Sequence, residues 1–258
     1  MRYRSRGAER LAGSLITYGS VNLARRADRF ETNDAVDITR DALNYIRDNP
    51  DRFRAALSVH VQLSLYALIA AVAIFFPLGV LASRSRTAGP AVIGIVSAAR
   101  VVPSVAVLFL LFPYRREIGD VLPMFDRSFA LALIVLTLLA GPPLIINTDA
   151  GLRSVDAAIL ENARGLGMRQ NQVFVRVELP IALPVVIAGL RTAAVEVVAS
   201  ATLAAFVGAG SLGRFITSGL TLLDYRLLLV GAVPIALLAL GAEVVLTGLQ
   251  RLVTPPAA

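Results

Sequence analysis

The sequence predicts an all-α membrane protein with five transmembrane helices, and three observations carry that expectation. Of its 258 residues 56% are hydrophobic, with a mean hydropathy of +0.70, which is too apolar for a water-soluble domain of this length. Five runs with few or no charges reach the roughly 20 residues that a helix needs to cross a hydrocarbon core. Short polar loops carrying arginines separate those runs.

In chain order, residues 1–54 read as an N-terminal extension. Residues 11–23 are too short and too rich in Ser, Thr, Asn and Gly to span a bilayer, and Arg10 and Gly13 interrupt the apolar core that a signal peptide needs. Between Ala35 and Arg47, Val36, Leu43 and Ile46 recur at helical intervals, which predicts an amphipathic helix lying on the membrane surface before Pro50 turns the chain into the first span. All 25 basic residues are arginine, and eleven of them fall within residues 1–54. Beside anionic lipid this cluster needs no nucleic-acid partner to account for a net charge of +7; the lipid membrane is partner enough.

The transmembrane domain is expected over residues 55–253, followed by a tail at 254–258. Its first span runs from about Ala56 to Leu81, with His60 and Gln62 near its start and Pro77 near its end. The second, about Ala91 to Phe112, holds Arg100 and Pro103. The third, Phe129 to Asn147, is uncharged and contains Pro142 and Pro143. The fourth, Ile181 to about Val207, contains Arg191 and Glu196, and the fifth, Leu227 to Val253, contains Pro234 and Glu243. An ionisable side chain inside such a span is costly unless it is paired or wetted. Arg100, Arg191, Glu196 and Glu243 are therefore singled out, with the expectation that Arg100 or Arg191 pairs with Glu196 across the bundle. Glu243 lies about 24 Å from Leu227 at 1.5 Å per residue, close to one membrane surface. His60 reads as a polar group satisfied near the interface.

The most informative stretch is the polar one between the third and fourth spans, residues 153–180. Val155, Ile159 and Leu166 mark one face of a helix, while Asp156, Glu161 and Arg164 lie elsewhere on it. Gly167 ends this helix, because glycine tolerates the left-handed conformation of a helix C-cap. A second short helical pattern follows, with Val173, Phe174 and Val177 apolar, and Pro180 is expected to close it. Helix, glycine bend and helix make a compact knob suited to a groove on another protein.

Several chemistries are excluded. Cysteine is absent and histidine occurs once, so neither a disulfide nor a thiolate or imidazole metal cluster can be built. No lysine and no G-x4-G-K-[S/T] loop is present, so nucleotide hydrolysis has no place here. No nucleophile set assembles, no cofactor is expected, and the chain does not read as an enzyme. Gly208-Ala209-Gly210-Ser211-Leu212-Gly213 spells G-x-G-x-x-G, but an apolar helix precedes it, and the nearest acid, Asp224, is eleven residues after Gly213. Gly208, Gly210 and Gly213 read instead as a flexible break at the end of the fourth span, a candidate hinge or gate.

From Glu161 the chain reads Glu-Asn-Ala, three residues, Gly167, nine residues, then Val177-Glu178-Leu179-Pro180. This resembles the E-A-A-x3-G-x9-I-x-L-P signature of the membrane subunits of bacterial ABC importers, with Asn162 for the middle alanine, Ala163 in place and Val177 for isoleucine. From about Tyr45 to Val253 the chain is similar to the permeases of quaternary-amine (glycine betaine, carnitine, choline) osmoprotectant importers. That likeness rests on Asn49-Pro50-Asp51-Arg52-Phe53, His60-Val61-Gln62-Leu63-Ser64, Pro77-Leu78-Gly79-Val80, Val102-Pro103-Ser104, Leu183 through Arg191, and Ala201 through Gly213.

The resemblance implies a five-helix permease of the ABC importer type, in which Asp156, Glu161, Ala163, Arg164, Gly167, Val177, Leu179 and Pro180 form a cytoplasmic coupling element. It implies two ABC ATPase subunits beneath, a second permease subunit, identical or homologous, and an extracytoplasmic substrate-binding protein that supplies most of the selectivity. A chain with 7% aromatics and no Trp is not expected to hold a tight amine site of its own. The arginine count, seven on the side of the Glu161 segment against five opposite, favours a cytoplasmic segment, whereas the first 54 residues argue the other way. The resemblance decides for an N-terminus outside and a C-terminus in the cytoplasm. A permease for methionine or another small solute is the alternative within the class. An ion-coupled secondary transporter is the alternative outside it, kept open by Arg100 and Glu196 although no internal repeat is found.

Overall fold

The computed structural model describes residues 32–253, so the readings of residues 11–23, of a signal peptide and of the 254–258 tail fall outside it. All regular secondary structure among the described residues is helical, with no strand. They divide at Asp48/Asn49 into two units, each taken by itself. The first consists of helix α1, Thr32–Asp48, on which Ala42 is buried, Ile46 half-buried and Leu43 exposed.

In the second unit, α2 (Pro50–Arg84) begins with Pro50 in its first turn, where the missing N–H would have had no helical partner. Residues 50–54 thus belong to the first spanning helix, which starts before the boundary expected at residue 54. Helix α6 (Arg127–Arg153) starts on Asp126, whose Oδ2 accepts a hydrogen bond from the Ser128 amide at 2.9 Å. It continues through Pro142 and Pro143 to Arg153. Helix α9 (Leu179–Ser200) leads into a 3₁₀ segment, Ala201–Val207. Helix α10 (Gly213–Leu222) then packs against α11 (Tyr225–Val253).

The second span departs from the expectation. Instead of one helix there are two, α3 (Ala88–Ala99) and α4 (Ser104–Leu111), separated by a non-helical break at Arg100–Pro103. Pro103 has no N–H for the helical ladder and holds Val102 away from the α region, so an apolar run long enough to span is interrupted in its middle. Four described helical segments are long and apolar enough to cross a membrane, at Pro50–Arg84, Arg127–Arg153, Gln170–Val207 and Tyr225–Val253. The α3–α4 pair is not among them; its Ala88–Ala98 portion is a shorter apolar helix. From Phe112, where the expected second span ends, the chain forms a 3₁₀ turn, Phe112–Tyr114, and a short helix α5, Arg115–Val121.

Helix α6 is the centre of this unit. Its apolar window is 72% buried, against 22% for α2 and 17% for α11. It lies between α2 and α9, with the α3–α4 pair and α5 also against it, while α11 packs on α9. Leu63, Ala67 and Ala71 of α2 meet Leu131, Val135 and Leu136 of α6 and Ala193 and Val197 of α9 in one core. Close approach depends on small residues: a Cβ at Gly79 would sit 2.6 Å from Thr148 Cβ, and one at Gly189 2.5 Å from Asn147 Cβ.

Candidate functional site: the helix-glycine-helix segment

Local chemistry folds residues 153–180 as a bent pair of short helices. Asp156 caps α7 (Ala157–Gly165), its Oδ1 accepting from the Ala158 amide at 2.8 Å. At the other end the Gly167 amide donates to the Arg164 carbonyl (2.9 Å) and the Met168 amide to the Ala163 carbonyl (3.3 Å). With Gly167 at φ +82 this is a Schellman cap, the termination expected of glycine at that position. A Cβ on Gly167 would meet nothing within 4 Å, so backbone conformation alone demands glycine there. The second helix, α8 (Gln170–Val173), starts with Gln172 Oε1 accepting from the Arg169 amide at 2.8 Å.

The knob projects its chemistry outward. Ala163 is buried, whereas Asp156, Glu161 and Arg164 are exposed, and the apolar Ile159 and Leu166 are 43% and 84% exposed. Of the expected apolar face only Val155 is buried, in a cluster with Leu152, Ala182 and Val186. Leu166, at the tip, is left almost fully exposed among the described residues. Val173 is buried, and Phe174 and Val177 are half-buried.

Pro180 does not close the second helix. A π-helical turn, Phe174–Glu178, joins α8 to α9, and the helix runs on through Leu179 and Pro180. In an unbroken α-helix the proline ring would collide with the Arg176 carbonyl; the wider turn accommodates the residue that cannot donate. The segment is therefore continuous with a spanning helix.

Two anchors that sequence reasoning missed hold this end of the bundle. Glu178, 4% exposed, accepts two hydrogen bonds from Arg84 at the end of α2, Nη1 to Oε1 at 2.9 Å and Nη2 to Oε2 at 2.7 Å. The Arg84 guanidinium also lies 5.2 Å from the Phe174 ring centroid. Arg153 pairs with Asp149 (2.8 Å) and donates to the carbonyls of Ala82 (2.9 Å) and Ser85 (3.0 Å), satisfying acceptors at the C-terminus of α2. The available signal was an acid and an arginine at span ends, but Glu178 lies 94 residues from Arg84, and the Ala82 and Ser85 carbonyls lie 71 and 68 residues from Arg153; only Asp149, one turn away, is local to its partner.

The intramembrane charges pair differently from the expectation. Arg191 Nε meets Glu243 Oε1 at 3.4 Å, and Arg191 Nη1 donates to Thr247 Oγ1 at 3.2 Å, tying α9 to α11. Arg191 and Glu196 are five residues apart on one helix, a spacing that points them to different neighbours. Arg100, at the helix break, and Glu196 line one cavity within electrostatic reach of each other, yet no ion pair joins them among the described residues. His60 is buried at the opposite end of the bundle from the knob, its Nε2 at 3.0 Å from the Val198 carbonyl.

The Gly208–Gly213 stretch is a hydrogen-bonded turn, open around Gly208 and Gly210 and close-packed at Ser211 and Gly213. Gly208 and Gly210 have φ of +84 and +76, and the Ala209 amide donates to the Ala204 carbonyl at 3.0 Å. Ser211, fully buried, donates to the Ala201 carbonyl at 2.9 Å, and a Cβ on Gly213 would collide with the Thr202 carbonyl. The turn folds α10 back against the 3₁₀ segment. No group of metal-ligating side chains occurs among the described residues.

Comparison with known proteins adds to this geometry. The chain is 39% identical over 215 residues to the carnitine transport permease protein OpuCB of Listeria monocytogenes, covering 83% of this chain and 94% of that one. It is 35% identical over 196 residues to the choline transport system permease protein OpuBB of Bacillus subtilis, covering 76% and 86%. Among solved structures, an inward-facing form of the MetNI methionine ABC transporter superposes with a TM-score of 0.67 at 21% identity, covering 77% of this chain and 94% of that one. A bacterial alginate ABC transporter in complex with its alginate-pentasaccharide-bound periplasmic protein gives 0.63 at 14% identity, covering 97% and 99%. At those identities the structural likeness concerns the fold. Residues 54–256 match the family described as binding-protein-dependent transport system inner membrane component. The chain belongs to that family, the permease subunits of ABC importers.

Proposed function

We propose that this permease forms half of the membrane pathway of an importer for quaternary-amine osmoprotectants such as carnitine, choline or glycine betaine. Residues 153–180 dock on an ABC ATPase in the cytoplasm, with the N-terminus outside. The observation that carries the coupling role is the outward-facing knob, on which Glu161, Arg164 and Leu166 are exposed among the described residues. The substrate class rests on relatives 31–39% identical that are named for carnitine, choline and glycine betaine.

Arg164 and Glu161 offer charge-assisted hydrogen bonds to a partner surface, and Leu166 offers an apolar tip. Because α8 continues through the π turn into α9, movement of the knob under ATP-driven closure of the ATPases tilts α9 directly. The Arg84–Glu178 and Arg153 anchors hand that movement to α2 and α6. Such a rigid-body switch opens the pathway to one side and then the other. A second permease subunit completes the pathway, and a binding protein outside delivers the solute.

The test is uptake of labelled carnitine, choline and glycine betaine into vesicles holding the permease, its neighbouring ATPase and its binding protein, with and without ATP. ATP-dependent accumulation that is abolished by Gly167→Val and retained by Gly165→Ala is expected, since a Cβ at Gly165 meets open space on ordinary helix. Unchanged coupling in Gly167→Val refutes the knob's role. Absence of uptake of all three amines refutes the substrate class.

A further inference from the structure

The cavity between α2, the α3–α4 break, α6 and α9 has about 340 Å³, within the range of small-molecule pockets (about 300–1,000 Å³). Its walls are apolar except for Ser104 and two charged side chains, Arg100 and Glu196. Two features set it apart from the rest of the bundle. The other long-range charges find contact partners: Arg84 meets Glu178 at 2.7 Å and Arg191 meets Glu243 at 3.4 Å. Arg100 and Glu196 instead face one cavity without contact. In addition, Arg100 and Val102 of the non-helical stretch Arg100–Pro103 line the same cavity. Irregular backbone at membrane depth is tolerated where it borders a wetted or protein-lined space, and such breaks commonly mark a solute path.

We propose that this cavity is a low-affinity transit subsite for a zwitterionic quaternary amine, with Arg100 receiving the carboxylate and Glu196 together with the Phe75 ring receiving the ammonium. The inference rests on the substrate class proposed above and adds a place for that solute inside the permease. A zwitterion completes both charges at once, whereas a simple cation would leave Arg100 unanswered and add like-charge repulsion. A methylated ammonium has no hydrogen to donate, so apolar walls, one aromatic face and a nearby carboxylate suit it. A single aromatic ring is no cage, and weak binding follows; a transit site must release what it takes.

The chain has no cysteine, so a single reporter thiol is clean. Val102→Cys at the break, or Ser104→Cys should the first fail to assemble with the ATPase, is labelled in the reconstituted importer by a water-soluble methanethiosulfonate. Millimolar glycine betaine is expected to slow labelling several-fold, and choline, which lacks the carboxylate, to protect far less. Arg100→Gln should raise the glycine betaine concentration for half-protection about tenfold, the effect of one lost charge-assisted contact, while leaving choline unchanged. Glu196→Gln should weaken both. A reagent that never reaches the thiol overturns the proposal, as does equal protection by both solutes, or loss of both in Arg100→Gln, which is the mark of a structural role. If the wild-type importer accumulates none of the amines with ATP, the substrate class fails on its own terms. If it accumulates them and the thiol stays unprotected, only the subsite falls.

Discussion

Removing either partner of the Arg84–Glu178 pair leaves the bundle in a different predicament, and the asymmetry can be worked out in advance. Arg84→Met leaves a carboxylate that is 4% exposed without its two hydrogen-bond donors. Breaking a buried pair from this side costs about 3–5 kcal/mol. The low end, about 3 kcal/mol, applies here because the Arg84 side chain is 42% exposed and its departure admits water. Glu178→Gln keeps the shape and one acceptor oxygen, and the freed guanidinium swings to solvent, so the cost falls to about 1–2 kcal/mol. Arg84→Met combined with Glu178→Leu should recover most of the Arg84→Met loss, since no charge then remains buried. The assay is the loss of helical circular dichroism on heating the detergent-solubilised permease with its ATPase at one fixed scan rate, because such unfolding is irreversible. A Glu178→Gln midpoint as low as that of Arg84→Met, or additive losses in the double variant, would refute the reasoning.

Gly167→Ala should cost about 1–2 kcal/mol through the left-handed backbone, and Gly165→Ala should stabilise slightly; melting of the two side by side checks this. Glu243→Gln and Arg191→Met should each cost about 1 kcal/mol, with the double variant less than additive, because both ends of this pair are partly exposed. Ser211→Ala should cost about 1–3 kcal/mol, the price of an unsatisfied Ala201 carbonyl in a buried turn, read from the same thermal scans. Asp224, at the start of α11, has its carboxyl held below the usual 3.8 by hydrogen bonds from Arg226. Its small contribution should be fully present above pH 3.8 and disappear as pH falls through the lowered value. Asp224→Asn should flatten that acid limb of a stability profile.

The knob was legible because everything that shapes it is local. Asp156 caps its own helix two residues on, and Gly167 closes a hydrogen-bonded ring of six residues, so spacing alone specifies both. The second span was legible as an apolar run and not as two helices, since hydropathy averaged over a window registers the solvent and not the missing N–H of Pro103. Pro180 misled for the opposite reason: a proline reads as a stop, but one extra residue in a π turn absorbs it. The charge pairs were out of reach. Arg84 and Glu178 are 94 residues apart, and Arg191 pairs with Glu243 beside Thr247, itself 56 residues from Arg191, so only the packing of α2, α9 and α11 decides who meets whom. Sequence alone offered Glu196 to either Arg100 or Arg191; the fold places Glu196 on one cavity with Arg100, without contact, and gives Arg191 to Glu243.

The continuous helical run Gln170–Val207, 38 residues that include a π turn and a 3₁₀ end, would serve as the shaft of the proposed coupling. At roughly 1.5 Å per residue it is about 57 Å long, so if an ATPase holds residues 153–180 as proposed, a tilt of about 5° there would sweep the distal tip through about 5 Å. Had Pro180 been a true stop, a swivel at that point would have absorbed the stroke before it reached the far leaflet.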